Sequence, residues 1–545
     1  MYRWERERAA EVFLTQPHSG GSVRNWTWAA AVGESRRIAA WLQSQNWPPG
    51  SRMAILSKNC AWWILADFAI WMSGHVSVPV YPSLQAHSIR QILEHSEARA
   101  CFLGATEIKD LAEAVPPQMC RIAFPTAIID SALKWEALRE ATPPLAESPI
   151  RAGSDLATII YTSGTTGAPK GVMHAFAAFS YNAKTLVDFL SLRPDDRVLS
   201  YLPLAHIVER VGVEFLALTL GSHIYFSEGV ETFIKDLQRA RPTLFMSVPR
   251  LLLKFQQNVF AKMPQKRLEK LFRIPVVGRA VKKRILSELG LNTVRYAACG
   301  AAPLPPETLG WYRGLGLNLA EGYGMTETLV THLPRAGVVR AGWVGAALPG
   351  VEQRLGDQAE LQIRSPMNML GYYKDPQGTR DSFLEDGFFH TGDVCEIAGD
   401  GQLKIVGRIK EQFKTSKGKY VAPAPIENKL AGHPGIEACC VMGAGLASPF
   451  AVVLISDEAR ARSHDPQARA ALEKSLAAAL EETNRGLDHH ERVAFIVIAD
   501  GPWSVANGLM TPTLKLKRAL LEARYGSPAE DWQKQNRPIV WESVA

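Results

Sequence analysis

The chain has 545 residues, 47% of them hydrophobic and 21% charged, and a formal net charge of +7 at pH 7. That composition suits a globular protein of roughly two to four domains with sizeable cores; the charge, spread over so long a chain, argues only weakly for nucleic acid and mildly favours anionic ligands or a membrane surface. Seven cysteines form no CxxC pair and no zinc-spaced His/Cys cluster, so a reduced, cytosolic protein is expected.

In chain order, the start "MYRWERERAAEVF" alternates in charge and excludes a secretory signal. Helical periodicity over 30–45 is followed by a strand-like run over 51–57. The most apolar stretch, 62–80, contains Asp67, Gly74 and His75 and runs into Pro79 and Pro82. It predicts a buried helix and then a strand, not a membrane span. Strands are expected again near 98–104, 156–160, 223–229, 243–248, 292–300 and 317–324, each close to a helical segment. This alternation to about residue 345 is the mark of α/β architecture with largely parallel sheets. Between 350 and 406 the texture changes to short strands and tight turns, a small β subdomain. The remainder mixes strands with a strongly helical run at 466–485, enough for a small α+β domain. The expected division is 1–407, with the β subdomain at 350–406, and 408–545.

The segment "YTSGTTGAPKGVMH" (161–174) follows the strand-like "LATII" and has three glycines, four Ser/Thr hydroxyls and one lysine in 161–171. Glycines let a backbone approach an anion, N–H and hydroxyl groups donate to it, and the lysine adds charge. The same composition suits a surface loop. It is not a Walker loop, because Lys170 precedes Gly171 instead of Ser or Thr.

In order along the chain stand "GYGMTET" at 322–328, "HTGD" at 390–393, "GRIKEQFKTSKGKYVAPAPIEN" at 407–428 and "NGLMTPTLKLKR" at 507–518. With the glycine-rich segment, these five blocks resemble the adenylate-forming superfamily of acyl-CoA synthetases, adenylation domains and luciferases. The resemblance covers nearly the whole chain. It implies two α/β subdomains plus a small β subdomain, followed by a small mobile α+β domain.

The resemblance also implies roles. Thr162, Ser163, Gly164, Thr165, Thr166, Gly167 and Lys170 would hold ATP phosphates, and Thr326 would donate to the α-phosphate. Glu327, with Thr166, would hold Mg²⁺; out of this context Glu327 reads as a solvated loop carboxylate. Gly300, Ala301 and Ala302 would line the purine, and Tyr323, next to Gly324, would stack on it. Asp393 would accept from the ribose hydroxyls with Arg408 in support, although "TGD" also suits a plain turn. Lys515 would bridge the acid and the α-phosphate; Lys517 and Arg518 are equally basic neighbours, and Leu514 stands where a glycine is commoner. Lys410 matches the hinge position. Lys417, Gly418 and Lys419 would lie beside the coenzyme A thiol arm, or form a solvated face.

"LPLAHIVER" at 202–210 resembles the long-chain fatty acid–CoA ligase branch. The apolar helix expected over 211–220 would line an alkyl chain or be core, and His206 would sit near the acyl carboxylate or serve structure only. Residues 262–284 have nine basic side chains against one acid, Glu269. This segment would touch an anionic membrane, loosely and at its inner face, or coenzyme A phosphates, or only water. Ala506 and Ala424 stand where relatives carry acids. The implied function is MgATP-dependent activation of a fatty acid and its transfer to coenzyme A. A ligase serving another acceptor or a carrier protein, and a non-catalytic binding relative, remain the alternatives.

Overall fold

The computed structural model describes residues 1–108, 111–127, 133–163, 169–335, 337–505, 507–511 and 515–542. Its largest sheet runs, in spatial order, Gly371–Tyr372, Pro169–Ala175, Leu156–Ser163, Val76–Val80, Arg52–Leu56, Ala100–Leu103, Cys120–Ala123 and Leu133–Lys134. The strands from Leu156–Ser163 to Leu133–Lys134 pair in parallel, while Pro169–Ala175 pairs antiparallel on both sides. Alternation along the strands explains the double burial: Met53 and Ile55 enter one core while Ala54 and Leu56 enter another. The helix Ala61–Met72 is buried on every side, as its nearly unbroken apolar sequence requires. Among the described residues no helix is long and apolar enough to cross a membrane.

A second group of strands carries one edge of the site. Leu244–Ser247, Tyr296–Cys299 and Leu319–Glu321 are parallel and end together. The Thr243 N–H donates to the Arg197 carbonyl (3.0 Å) and joins them to a four-stranded sheet that includes Val12–Pro17 and His223–Phe226. Residues 350–406 contain most of an antiparallel sheet of Glu352–Leu355, Glu360–Arg364, Phe389–Ile397 and Leu403–Arg408. Gly371–Tyr372 leaves this sheet and extends the eight-stranded one.

Beyond Phe413 the chain builds its own cores around a sheet of Ile436–Met442, Phe450–Ile455, Ile496–Ile498 and Ile539–Trp541. Cys439 and Cys440 fall on opposite faces of it. The helix Pro466–Arg485 is capped by Asp465, whose carboxylate accepts from Ala468 N–H at 2.9 Å. The architecture is thus mixed α/β, with a large N-terminal domain and a small C-terminal one, in keeping with the fold class expected. Arg250 pairs with Glu437 between them, and Gln257 Nε2 donates to the Pro434 carbonyl (3.5 Å).

The segment expected as one apolar helix over 211–220 is different. Ile207–Glu209 and Leu216–Leu220 are α-helical, but Arg210–Phe215 is a π-helix, and all six of its residues are buried. Arg210 is fully enclosed, paired with Asp67 and 3.0 Å from Glu214. Trp63 lies 5.0 Å from its guanidinium, and Trp71, Phe215 and Phe179 lie within 6.0 Å. Burial pushes the Glu214 carboxyl well above its usual range, and the nearby Asp67 adds to the rise while Arg210 opposes it. The widened turn belongs to the packed core.

Replacing Arg210 by Leu strands the Asp67 carboxylate in that core. We expect a loss of about 3–5 kcal/mol in denaturant unfolding; a loss below about 1 kcal/mol would show that the charge is not needed there.

Candidate active site

The parallel strands Leu244–Ser247, Tyr296–Cys299 and Leu319–Glu321 end together, and the cleft outside the carboxyl ends of such sheets is where ligands bind. Gly300 N–H donates to the Ser247 carbonyl (3.3 Å) and Gly322 N–H to the Cys299 carbonyl (2.9 Å), so the turns leaving the sheet are tied together. Ala301 adopts φ +69°, a strained conformation for a residue with a Cβ. The turn is fixed from below by Glu321, whose carboxylate accepts from Leu304 N–H (3.0 Å) and Gly342 N–H (3.3 Å). Gly324 opens a hairpin of Tyr323–Met325 with Leu329–Leu333, and a Cβ there would fall 2.1 Å from the Leu329 carbonyl oxygen. A larger residue cannot occupy that place without moving the hairpin.

Tyr323 donates its hydroxyl to Asp393 Oδ2 at 2.7 Å, and Arg408 Nε meets Asp393 Oδ1 at 2.9 Å. Asp393 is 3% exposed, and its strand pairs with that of Arg408 in direct register. The Asp393 charge raises the Arg408 guanidinium above its usual range. The arrangement offers a fixed carboxylate beside an aromatic ring.

On the other flank, Tyr372 donates to Glu327 Oε1 at 3.0 Å, and Lys170 Nζ lies 4.7 Å from the centre of the Tyr372 ring. Burial raises the Glu327 carboxyl, while Arg408 lowers it and Asp393 raises it, which places all three charges within electrostatic reach. Among the described residues Glu327 has no Lys or Arg ion pair. A crowded carboxylate with no Lys or Arg in direct contact fits a hard divalent ion such as Mg²⁺, which typically takes one or two carboxylates plus substrate phosphates. Neutral His174, lowered to about 4 by burial, donates Nε2–H to the Thr326 carbonyl at 2.6 Å. It ties the strand after the glycine-rich loop to the Thr326 turn. Thr162 pairs with Lys170 and Ser163 with Pro169 across the hairpin. Gly164, Thr165, Thr166 and Gly167, and the Ser163 side chain, lie outside the described residues.

Lys515 belongs to the small domain and reaches the same cleft. It is solvent-exposed, yet protein crowds it closely enough to lower its ammonium below the usual lysine range. Arg408 acts in the same direction, whereas Asp393, Glu411 and Glu327 oppose it. Pro512, Thr513 and Leu514 lie outside the described residues, as does Ala506. Arg518 takes another part: it pairs with Glu427 at 2.6 Å and donates to the Val441 carbonyl at 2.6 Å, both inside the small domain. His206 is lowered to about 3 by burial first and Lys515 second, which makes it a neutral neighbour of that lysine. Its Nδ1 accepts from Val208 N–H at 3.3 Å. Lys410 is exposed in the turn Ile409–Glu411, which follows the strand Leu403–Arg408. Lys417, Gly418 and Lys419 are exposed at the tip of a hairpin formed by Phe413–Lys414 and Tyr420–Val421.

Four contributors were not expected from the sequence: Tyr372, His174, Glu321 and Glu209. The buried Glu209 accepts from Ser200 Oγ (2.8 Å), Tyr201 N–H (2.8 Å) and Asn59 Nδ2 (3.3 Å). Asn59 also donates to the Leu202 carbonyl (2.6 Å) and accepts from Leu204 N–H (2.9 Å). Together they hold the loop that ends at His206.

The chain matches the family model "AMP-binding enzyme" over residues 2–373 and "AMP-binding enzyme C-terminal domain" over 410–529. It is 31% identical to the long-chain-fatty-acid–CoA ligase FadD15 of Mycobacterium bovis, covering 92% of this chain and 91% of the relative. It is 29% identical to long-chain-fatty-acid–CoA ligase 1 of Homo sapiens, over 89% and 78% respectively. Its fold matches the A domain of the carboxylic acid reductase from Segniliparus rugosus, solved with AMP and a co-purified carboxylic acid. That match has a TM-score of 0.79 at 22% identity, covering 98% of this chain and 93% of that one.

Burial lifts the Glu209 carboxyl from its ordinary 4.5 to about 8. Its contribution to stability is whole below the ordinary value and drains away as pH rises through about 8. Glu209→Gln keeps the acceptor and removes the titration. The melting temperature of the Gln variant relative to the parent is therefore expected to climb from about pH 5 to about pH 8; a constant difference would mean that Glu209 is ionised throughout.

Proposed function

The chain belongs to the AMP-binding enzyme family, close to its long-chain fatty acid–CoA ligases, and from that premise we propose that it is an AMP-forming acid–thiol ligase. A fatty acid carboxylate oxygen attacks the α-phosphorus of ATP; the P–O bond to pyrophosphate breaks, leaving acyl-adenylate. The thiolate of coenzyme A then attacks the acyl carbon, and AMP leaves with the electron pair of the C–O bond. The long-chain assignment is supported by what the curated relatives are called.

The first step must bring two anions together, and the chain's residues serve that need by charge and position. In this reading Lys170 and the loop of Thr162, Ser163, Gly164, Thr165, Thr166 and Gly167 hold the β- and γ-phosphates. Tyr323 packs on adenine against Gly300, Ala301, Ala302 and Gly324. Asp393 takes the ribose hydroxyls, with Arg408 steadying it. Thr326 donates to the α-phosphate, and Lys515 lies between that phosphate and the acid. Glu327 and Thr166 would hold Mg²⁺, which when bound neutralises phosphate oxygens. His206, neutral, is an uncharged wall near the acid. Rotation about Lys410, which separates a large domain of 1–407 from a small one of 408–545, withdraws Lys515 and brings Lys417, Gly418 and Lys419 to the thiol substrate. The observation that supports the reading most is that Glu327, Asp393 and Lys515, contributed by both domains, lie within electrostatic reach of one another, with Lys170 joined to Glu327 through the Tyr372 ring. With a lipid acid as substrate, loose contact with an anionic membrane belongs to the same reading.

Given palmitate, MgATP and coenzyme A, the protein is expected to form palmitoyl thioester, AMP and pyrophosphate. Palmitate-dependent pyrophosphate exchange with no thioester would assign it another acceptor, and nucleotide binding without turnover would make it a non-catalytic relative. Lys515→Ala is expected to slow adenylate formation by about 100-fold or more while sparing thioester formation from supplied palmitoyl-adenylate. Equal loss in both steps would remove Lys515 from its proposed place.

A further inference from the structure

The helices Gln265–Phe272 and Pro275–Glu288 meet at a tight bend. Gly278 N–H donates to the Ile274 carbonyl, and a Cβ on Gly278 would lie 2.6 Å from the Phe272 carbonyl oxygen. The inner face of the pair is packed: Leu268, Ile285 and Leu286 join the core that contains Phe255 and Leu289. The bend itself is bare. Ile274, Val276 and Val277 are 47%, 77% and 41% exposed. Twelve large hydrophobic side chains are exposed among the described residues, and these three are a quarter of them. Burial of apolar surface drives folding, so a cluster left outside marks a surface with a partner.

The charges around the bend point to its kind. Lys266, Arg267, Lys270, Arg273, Arg279 and Lys283 are all exposed, and among the described residues none of them has a carboxylate partner. Glu269 is engaged by Gln265 at 2.9 Å, and Glu288 by Arg284 at 2.9 Å. An apolar tip flanked by cations without carboxylate partners matches a bilayer with anionic headgroups: the tip enters the acyl boundary and the cations meet lipid phosphates. The phosphates of a small dissolved ligand would account for the cations and leave the valines unexplained. The helix Pro249–Lys262 runs from the site strand Leu244–Ser247 to this pair, and its 14 residues span about 21 Å. The bend is thus held one helix length from the cleft.

We propose that Ile274, Val276 and Val277, with the surrounding lysines and arginines, dock the protein on an anionic membrane surface. This rests on the reading of the substrate as a fatty acid, which partitions into bilayers. The full chain, free of substrates, is sedimented with vesicles of phosphatidylcholine alone or mixed with phosphatidylglycerol. Binding is expected to the anionic vesicles only and to weaken with salt. Val276→Asp with Val277→Asp, and separately Lys266→Glu with Lys270→Glu, are each expected to lower partitioning by about tenfold or more. Thioester formation from a water-soluble medium-chain acid should stay unchanged in both pairs, which shows that they fold. Equal partitioning of parent and variants, no binding to anionic vesicles, or weaker coenzyme A saturation with intact vesicle binding would each overturn the proposal. Vesicle binding that follows the expected pattern while no acid is converted to a thioester would leave the docking surface standing and remove the ligase reading.

Discussion

One buried carboxylate, Asp393, ties the site together. A charge taken out of water must be paired or it destabilises the fold by several kcal/mol, and Asp393 meets that demand with partners from two other places. The Tyr323 hydroxyl comes from the hairpin beyond the parallel sheet, and the Arg408 guanidinium comes from the last strand before the small domain. The parallel sheet, the antiparallel sheet and the domain junction therefore share one point of attachment. Lys515 feels the same carboxylate from the far side of the junction, so the placement of the small domain and the charge balance of the cleft are linked. In such a crowded site each of these charges acts more strongly than it would in water.

The phosphate flank is assembled in the same way from distant pieces. Tyr372 lies on a two-residue strand that leaves the small β sheet to pair with Pro169–Ala175. That detour sets the phenol between Lys170 and Glu327. His174, two strand positions beyond Val172, then clamps the Thr326 carbonyl. Catalysis by charge neutralisation needs few reactive groups but tight placement of them, and several residues here serve that placement without touching substrate. Glu209, Asn59 and Glu321 hold loops by hydrogen bonds and face no proposed substrate atom.

The architecture was largely legible in the sequence because the elements that build it are strongly patterned. The helix Pro466–Arg485 coincides with its periodic run, and Ala61–Met72 with the apolar one. The alternation of helical and strand-like segments pointed to the α/β layers, and ordered motifs singled out Lys170, Glu327, Asp393 and Lys515 as candidates that the structure brings within reach of one another. The supports were hidden for a physical reason. His174 meets a carbonyl 152 residues away, and Asn59 holds a loop 143 and 145 residues on. Local composition carries no sign of such pairs. Arg210 marks a further limit: a basic residue normally signals surface, and this one is enclosed with Asp67 and Glu214, where it accompanies a π-turn that periodicity could not foretell.

The central claim is that residues of both domains surround one acyl-adenylate. A crystal structure with a non-hydrolysable palmitoyl-adenylate analogue tests it most directly. The adenine is expected against Tyr323, the ribose hydroxyls on Asp393 and the Lys515 ammonium beside the phosphate mimic. An analogue bound elsewhere, or bound here with the Lys515 side chain turned to bulk solvent and no second pose of the small domain, would contradict it.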